Sequence, residues 1–343
     1  MTDWEDRYRA ARPSFEDFCD ETRRLVERLM ADAGIDVAQV EARTKTVDSF
    51  AEKVRRKGGR YADPVAEITD LAALRVIAYF PADVVRIGEI VDAHFAVDWE
   101  NSRRQSGETE PDRFGYRSDH YVVRLSAQRL GLPEYRRFDG LRAEIQVRTV
   151  MQHAWAAVDH QLRYKNAAQL PPELQRRLSK LSALLEVADE QFAELKREAD
   201  ALEATYTEEV QRGDLSADVD LLSVEAYLRE SGLAAAWTER ALGAGLAATA
   251  EPGQLDFLVY LLLRAGVTTL EEIGPFYAGA EAWAVEFLAR LAAESSARGF
   301  RPVAAPYDVL AFVLLARGAE VDVRSSPYAA VIDEALLAVR GGA

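Results

Sequence analysis

Ten positions between Leu174 and Tyr206 constrain the fold of this chain more than any other feature. Leu174, Leu178, Leu181, Leu185, Ala188, Phe192, Leu195, Ala199, Leu202 and Tyr206 follow one another at alternating spacings of four and three. A heptad seam sustained over four repeats reads as one long helix, here starting after Pro171-Pro172. Its apolar stripe needs a cover, either the N-terminal helix of the same chain or a second subunit. Pairing within the chain is favoured, because most such stripes are core contacts. That N-terminal helix is expected over residues 13–34, starting at Pro13-Ser14, with Phe15, Phe18, Thr22, Leu25 and Leu29 in the same rhythm.

Between the two helices the period changes. Leu74 to Phe80 reads as a strand ended by Pro81, and Asp83 to Phe95 has helical spacing through Val84, Ile87, Ile90 and Val91. Tyr121 to Leu125 and Leu141 to Val147 read as further strands, and Val150 to Tyr164 as a helix. Strands interleaved with helices make one layered α+β domain. The polar loop Glu100 to Asp112 is expected to be mobile. After Gln211-Arg212-Gly213-Asp214 the chain turns Ala- and Leu-rich. There Leu261 to Gly266 and Leu314 to Gly318 look like helix ends with glycine caps. No chemistry is assigned to this all-α segment.

Charge separates the same two regions. Residues 1–180 carry 30 Lys+Arg against 30 Asp+Glu, whereas residues 181–343 carry 12 against 27. A balanced half with clustered cations can grip a polyanionic nucleotide locally; an acidic half is poorly suited to a nucleic-acid backbone and chiefly keeps the chain soluble. The longest apolar run, Phe257 to Leu263, is too short for a bilayer, and the acidic start Asp3-Trp4-Glu5-Asp6 is unlike a signal peptide. The lone Cys19 excludes a disulfide framework and reads as a buried thiol beside Phe18. The chain reads as cytoplasmic, without membrane contact.

The chemistry concentrates in three short segments. Asp70-Leu71-Ala72-Ala73-Leu74-Arg75 and Glu144-Ile145-Gln146-Val147-Arg148-Thr149 each set an acid at a strand edge, followed by an arginine. Two carboxylates from neighbouring strands, each near a cation, can hold a divalent metal against nucleotide phosphates. The bland alternative is a strand-edge ion pair, Asp70 with Arg75 or Glu144 with Arg148. Phe114-Gly115-Tyr116-Arg117-Ser118-Asp119-His120 is an aromatic and polar turn suited to stacking a base. Upstream, Arg43-Thr44-Lys45 reads as an extended lead-in to a helix on which Ser49 and Lys53 share a face, and the helix N-terminus favours phosphate. Alone, such a cluster is usually a solvated surface.

Together and in this order, the segments resemble the synthetase domain of the RelA/SpoT family, which makes the alarmones pppGpp and ppGpp; the likeness covers roughly residues 40–166. It implies a nucleotidyltransferase-like mixed sheet flanked by helices, followed here by a long helix and an all-α C-terminal domain. The implied enzyme is an ATP:GTP/GDP 3′-pyrophosphotransferase (a GTP pyrophosphokinase) that uses Mg2+ and releases AMP. By position the resemblance makes Asp70 and Glu144 metal ligands and catalytic groups, with Glu144 as general base. It gives Arg43, Lys45, Ser49, Lys53 and Arg75 to ATP, and Tyr116, Ser118, His120, Gln146, His153 and Lys165 to the acceptor.

Two departures touch the acceptor. Asp112 stands where the family commonly has lysine, and Phe114 replaces an asparagine. The alternative reading is therefore a toxic relative that pyrophosphorylates the tRNA 3′ end or another purine nucleotide. Four histidines and no His-Asp dipeptide argue against the family's hydrolase domain. Four segments follow: 1–40 an N-terminal helix on the core, 41–170 the synthetase, 171–212 the heptad helix and 213–343 the C-terminal domain. The last is read as regulatory, as inhibitor or sensor, through self-assembly or a protein partner.

Overall fold

The computed structural model describes residues 3–104, 118–164, 171–299 and 301–317. Helix α1 (Asp3–Asp32) leads into strand β1 (Val37–Thr44), α2 (Val47–Arg56), the single turn α3 (Pro64–Glu67) and β2 (Ala72–Ala78). Next come α4 (Pro81–His94), β3 (Phe95–Val97), β4 (Asp119–Leu125), the turn α5 (Ala127–Leu130), β5 (Ala143–Thr149), α6 (Val150–Tyr164) and the 40-residue α7 (Pro172–Gln211). Six helices complete the chain: α8 (Leu221–Ser231), α9 (Leu233–Gly243), α10 (Leu255–Arg264), α11 (Leu270–Ala278), α12 (Glu281–Ala297) and α13 (Pro306–Arg317). The chain divides into two compact units, Met1–Leu195 and Lys196–Ala343, which meet in sequence within α7.

The first unit is the expected α+β fold. Its sheet runs β1-β2-β5-β4-β3, with β2 and β5 parallel and the other neighbours antiparallel. Period-2 alternation sorts each strand into two faces. Leu74 and Val76 of β2, Ala143, Ile145 and Val147 of β5, and Tyr121 and Val123 of β4 join one core with Phe15, Phe18 and Leu25 of α1 and Val84, Ile87 and Val91 of α4. Both central strands are buried along most of their length, which is why they read as near-continuous apolar runs. Cys19 lies in that core, its Sγ directed at the Ala73 carbonyl.

Three expectations need correction. Pro13 lies inside α1, which begins ten residues before it. A mid-helix proline removes one backbone hydrogen bond, and here tertiary packing outweighs that loss. Tyr8 is fully buried, stacked 4.4 Å from Phe50, and its hydroxyl donates to the Lys45 carbonyl at 2.7 Å. Strand β1 begins at Val37, inside the 1–40 segment assigned to the N-terminal helix, and runs through Arg43 and Thr44, where an extended lead-in is expected from the sequence. Finally, α1 does not cover the heptad seam. Its apolar face is spent on β1 and β2, while Leu174, Leu181, Phe192, Leu195 and Leu202 of α7 stay exposed. Only one flank of α7 is buried, at Leu178, Ser182 and Asp189.

The second unit is all-α around its own core. Helix α13 is buried from Val309 to Ala316, and α9, α10 and α12 pack against it. A helix apolar on every side can only sit at the centre of a domain. Tyr277 of α11 donates its hydroxyl to the Leu310 carbonyl at 3.0 Å. Asp220 caps α8 by accepting from the amides of Leu222 and Ser223. Gly232, at φ +69°, makes the left-handed turn between α8 and α9. Among the described residues, no helix is long and apolar enough to cross a membrane.

Candidate active site

The sheet face opposite the α1/α4 core carries the polar residues, and strand register decides which of them meet. Arg43 of β1 pairs with Ala73 of β2, which pairs with Glu144 of β5, which pairs with Val122 of β4. One step along, the row reads Glu41, Arg75, Gln146 and His120. Residues in register on one face have adjacent Cβ atoms, so sequence positions a hundred apart become neighbours. The small Ala73 leaves room between Arg43 and Glu144. A cleft of about 330 Å3 opens there, lined by Glu41, Arg43, Ala73, Arg75 and Gln146 among others.

Asp70 precedes β2 and sits between two ammonium groups. Lys45 Nζ lies 3.0 Å from Oδ2 and Lys53 Nζ 2.8 Å from Oδ1. The backbone fixes this clamp. The Lys45 amide donates to the Leu71 carbonyl at 2.9 Å, and Tyr8 and Arg12 of α1 donate to the Lys45 carbonyl. Lys53 projects from α2, whose N-cap Thr46 accepts from the Ser49 amide at 3.2 Å and donates its hydroxyl to Ser49 Oγ at 2.9 Å. Burial alone would raise the Asp70 pKa, but the hydrogen bonds from Lys53 and Lys45 hold it below the ordinary carboxylate range.

Glu144 is held differently. Its Oε1 lies 2.6 Å from His120 Nδ1, and His120 Nε2 lies 2.7 Å from Ser118 Oγ. Burial pushes the Glu144 carboxyl up and the nearby Asp70 charge adds to that, yet the His120 hydrogen bond brings it below its usual value. With Glu144 ionised, Nδ1 of His120 donates to it, and in the neutral imidazole Nε2 then accepts from the Ser118 hydroxyl. The result is a Ser118-His120-Glu144 hydrogen-bond chain. Neither bland pairing forms: Arg75 bonds Glu41 at 3.2 Å, and Arg148 bonds Gln146 Oε1 at 2.7 Å.

Two ionised carboxylates that raise one another's energy are a setting in which a cation between them is favourable. Among the described residues no group of three or more His, Cys, Asp or Glu side chains could hold a metal ion. Asp70 and Glu144 offer carboxylate oxygens, the donor type that a hard cation such as Mg2+ accepts when phosphate oxygens and water complete its shell.

The remaining candidates fall into place unevenly. His153 of α6 lies within electrostatic reach of Arg148, Glu41 and Arg75, and burial lowers its pKa first, with the Arg148 charge adding. Among the described residues, buried Nδ1 of His153 and buried Nε of Arg148 have no hydrogen-bond partner. Tyr116 and Lys165 lie outside the described residues, as does most of the loop expected to be mobile. Three contributors escaped the sequence reading. Glu41 was hidden because nothing marked the residues before Arg43 as a strand, Thr46 because its signal was only a Thr-x-x-Ser helix start, and Arg148 because the one partner weighed for it in the sequence was Glu144, in the bland alternative.

Known proteins resemble this chain over its first half. A family described as "Region found in RelA / SpoT proteins" matches residues 42–169. The GTP pyrophosphokinase YjbM of Bacillus subtilis is 30% identical over 171 residues, covering 49% of this chain and 76% of that protein. The GTP pyrophosphokinase YwaC of the same organism is 26% identical over 166 residues, covering 48% and 76%. The crystal structure of the small alarmone synthetase 1 from Bacillus subtilis aligns with a TM-score of 0.48 at 26% identity, covering 57% of this chain and 99% of that one.

Proposed function

The chain belongs to the RelA/SpoT family, and we propose that it works as an ATP:GTP/GDP 3′-pyrophosphotransferase that makes (p)ppGpp and releases AMP. The observation that carries this reading is the pairing of a lysine-clamped Asp70 with a His120-bound Glu144 across adjacent parallel strands. Matched relatives that carry the name GTP pyrophosphokinase support the same class of reaction.

In this reading the triphosphate of ATP enters between α2 and the Arg43/Arg75 cleft. Lys45 and Lys53 exchange the Asp70 carboxylate for phosphate oxygens, with Ser49 at the N-terminal turn of α2. Arg43 and Arg75, flanking Ala73, hold the remainder of the nucleotide. Asp70 and Glu144 would hold Mg2+, which when bound neutralises phosphate charge. Glu144 takes the proton of the acceptor's 3′-hydroxyl. The freed 3′-oxygen bonds to the β-phosphorus, the bond between that phosphorus and the α,β-bridging oxygen breaks, and AMP leaves with the electron pair. His120 orients Glu144 and Ser118 orients His120, while Gln146 and Tyr116 are assigned to the acceptor. With four histidines and no His-Asp dipeptide, the chain has no assigned hydrolase site.

The deciding experiment mixes the protein with labelled ATP, Mg2+ and each acceptor in turn, and separates the nucleotides by chromatography. Transfer of label to GTP or GDP is the expected result. Transfer to deacylated tRNA alone would overturn the acceptor assignment while keeping the chemistry. No transfer to any acceptor, with ATP still bound, would overturn the enzyme reading.

A further inference from the structure

The segment that follows β3 stays beside β4 and carries an arginine onto the catalytic face. Backbone and hydroxyl contacts fix its path. The Asp98 amide donates to the Val122 carbonyl at 2.8 Å, and Ser102 Oγ accepts from the Val122 amide at 2.9 Å. Arg103 and His120 then exchange both backbone hydrogen bonds, at 2.7 and 2.9 Å. Residues paired in this way stand directly opposite, with their side chains on one side of the sheet. The row Glu41, Arg75, Gln146 and His120 therefore continues into Arg103.

Alternation along the segment gives a second, independent indication. Arg104 turns to the opposite face, where its guanidinium lies 4.6 Å from the Trp99 ring centre and 5.8 Å from that of Tyr121. It also lies 3.6 Å from Asp92 of α4, and Tyr121 belongs to the α1/α4 core. Arg103, the residue before, then faces away from that core. Its side chain is exposed, and among the described residues it has no ion pair. The other cations of the site are engaged: Lys45 and Lys53 by Asp70, Arg75 by Glu41 and Arg148 by Gln146.

We propose, on the reading that Glu144 meets the acceptor's 3′-hydroxyl, that Arg103 binds the acceptor's 5′-phosphates and so selects a nucleoside di- or triphosphate over a nucleoside. The cations assigned to ATP lie toward β1 and β2, so the acceptor reaches Glu144 from the β4 side. Two strand spacings, about 10 Å, separate the backbone at Arg103 from that of β5. A ribose with its 3′-oxygen at Glu144 and its 5′-phosphates directed outward, met by an arginine side chain, spans that gap. The base and ribose carry no charge, whereas the phosphates do, and a guanidinium can meet them with paired hydrogen bonds. Since His120 holds Glu144 and pairs with Arg103, one strand pairing sets both ends of the acceptor.

The test measures binding of GDP and guanosine to the full chain, in wild type, Arg103→Gln and Arg103→Lys, beside turnover with labelled ATP. Arg103→Gln should weaken GDP about tenfold, the loss of one charge-assisted contact at an exposed site. Guanosine affinity, the Michaelis constant for ATP and the unfolding midpoint should stay at wild-type values, and Arg103→Lys should recover most of the loss. A GDP loss below about threefold, or an equal loss for guanosine, would overturn the proposal, because a merely structural role moves both ligands alike. Wild-type protein that binds GDP no better than guanosine would overturn it as well. GDP binding that depends on Arg103 without turnover would uphold the proposal and overturn the enzyme reading. Turnover with GDP that ignores the substitution would do the reverse.

Discussion

Glu144→Gln separates the catalytic reading from a structural one, because the site fixes what the substitution changes. The glutamine keeps the shape of the side chain and an oxygen facing His120 Nδ1, which lies 2.6 Å from Glu144 Oε1. It deletes the negative charge. A charge-assisted hydrogen bond is worth about 1.5–3 kcal/mol and a neutral one about 0.5–1.5, so the His120 contact weakens by about 1 kcal/mol. Removing the charge also relieves repulsion from Asp70, which acts in the opposite direction. Folding stability should therefore change by no more than about 1 kcal/mol. Turnover loses the proton acceptor, a term of about 10²–10⁴-fold, and one of the two carboxylates assigned to the metal. We expect a loss of several hundred-fold, about 3–4 kcal/mol in the barrier. The assay is product formation from labelled ATP, run beside ATP affinity by calorimetry and a thermal unfolding midpoint. ATP affinity should stay near wild type, since the phosphate-binding lysines are untouched. Activity within about fivefold of wild type, about 1 kcal/mol, would refute the assignment and leave Glu144 as a partner that merely orders His120.

Four other outcomes test different parts of the structure. Asp70→Asn should abolish synthesis and flatten the acid limb of stability. Asp70 and Glu144 both titrate below their ordinary range when folded, so the stability they contribute is present at neutral pH and is lost as pH falls through those depressed values; unfolding midpoints across the acid range measure it. Tyr8→Phe removes the hydroxyl that holds the Lys45 carbonyl and should cost about 1 kcal/mol of stability together with a rise in the Michaelis constant for ATP. Gly88→Ala drives a methyl group into the Tyr121 hydroxyl in the core and should cost about 1–3 kcal/mol, read as a lower melting temperature. Truncation after Gly213 should leave a protein that still binds ATP and makes product at an equal or higher rate; a folded truncate that binds ATP and makes none would mean that the tail supplies catalytic groups.

Why some of this was legible in the sequence and some was not follows from the distance over which each signal acts. The elements around β2, α4, β4, β5 and α6 were readable because burial imposes a local period on each, and Pro81 punctuates the turn into α4. Helix α1 was misread at its start because proline is a local rule, whereas Tyr8 on Phe50 is a contact across more than forty residues. Strand β1 was read only at its end, as an extended lead-in at Arg43-Thr44, because an edge strand shows one half-buried face and Glu41 and Arg43 look like any exposed charges. The site itself depends on register. The motif order identified Asp70 and Glu144, but nothing local says that Ala73 lies opposite Glu144, or that Lys45 and Lys53 reach Asp70 while Arg75 turns to Glu41. A one-residue slip of β2 against β5 would send Ala73 and Arg75 to the other face. The heptad seam makes the same point from the other side. Its period correctly gave a helix of 40 residues, yet period alone does not name the cover. That Leu178 is buried while Leu174, Leu181 and Leu195 are exposed emerges only from the three-dimensional fold.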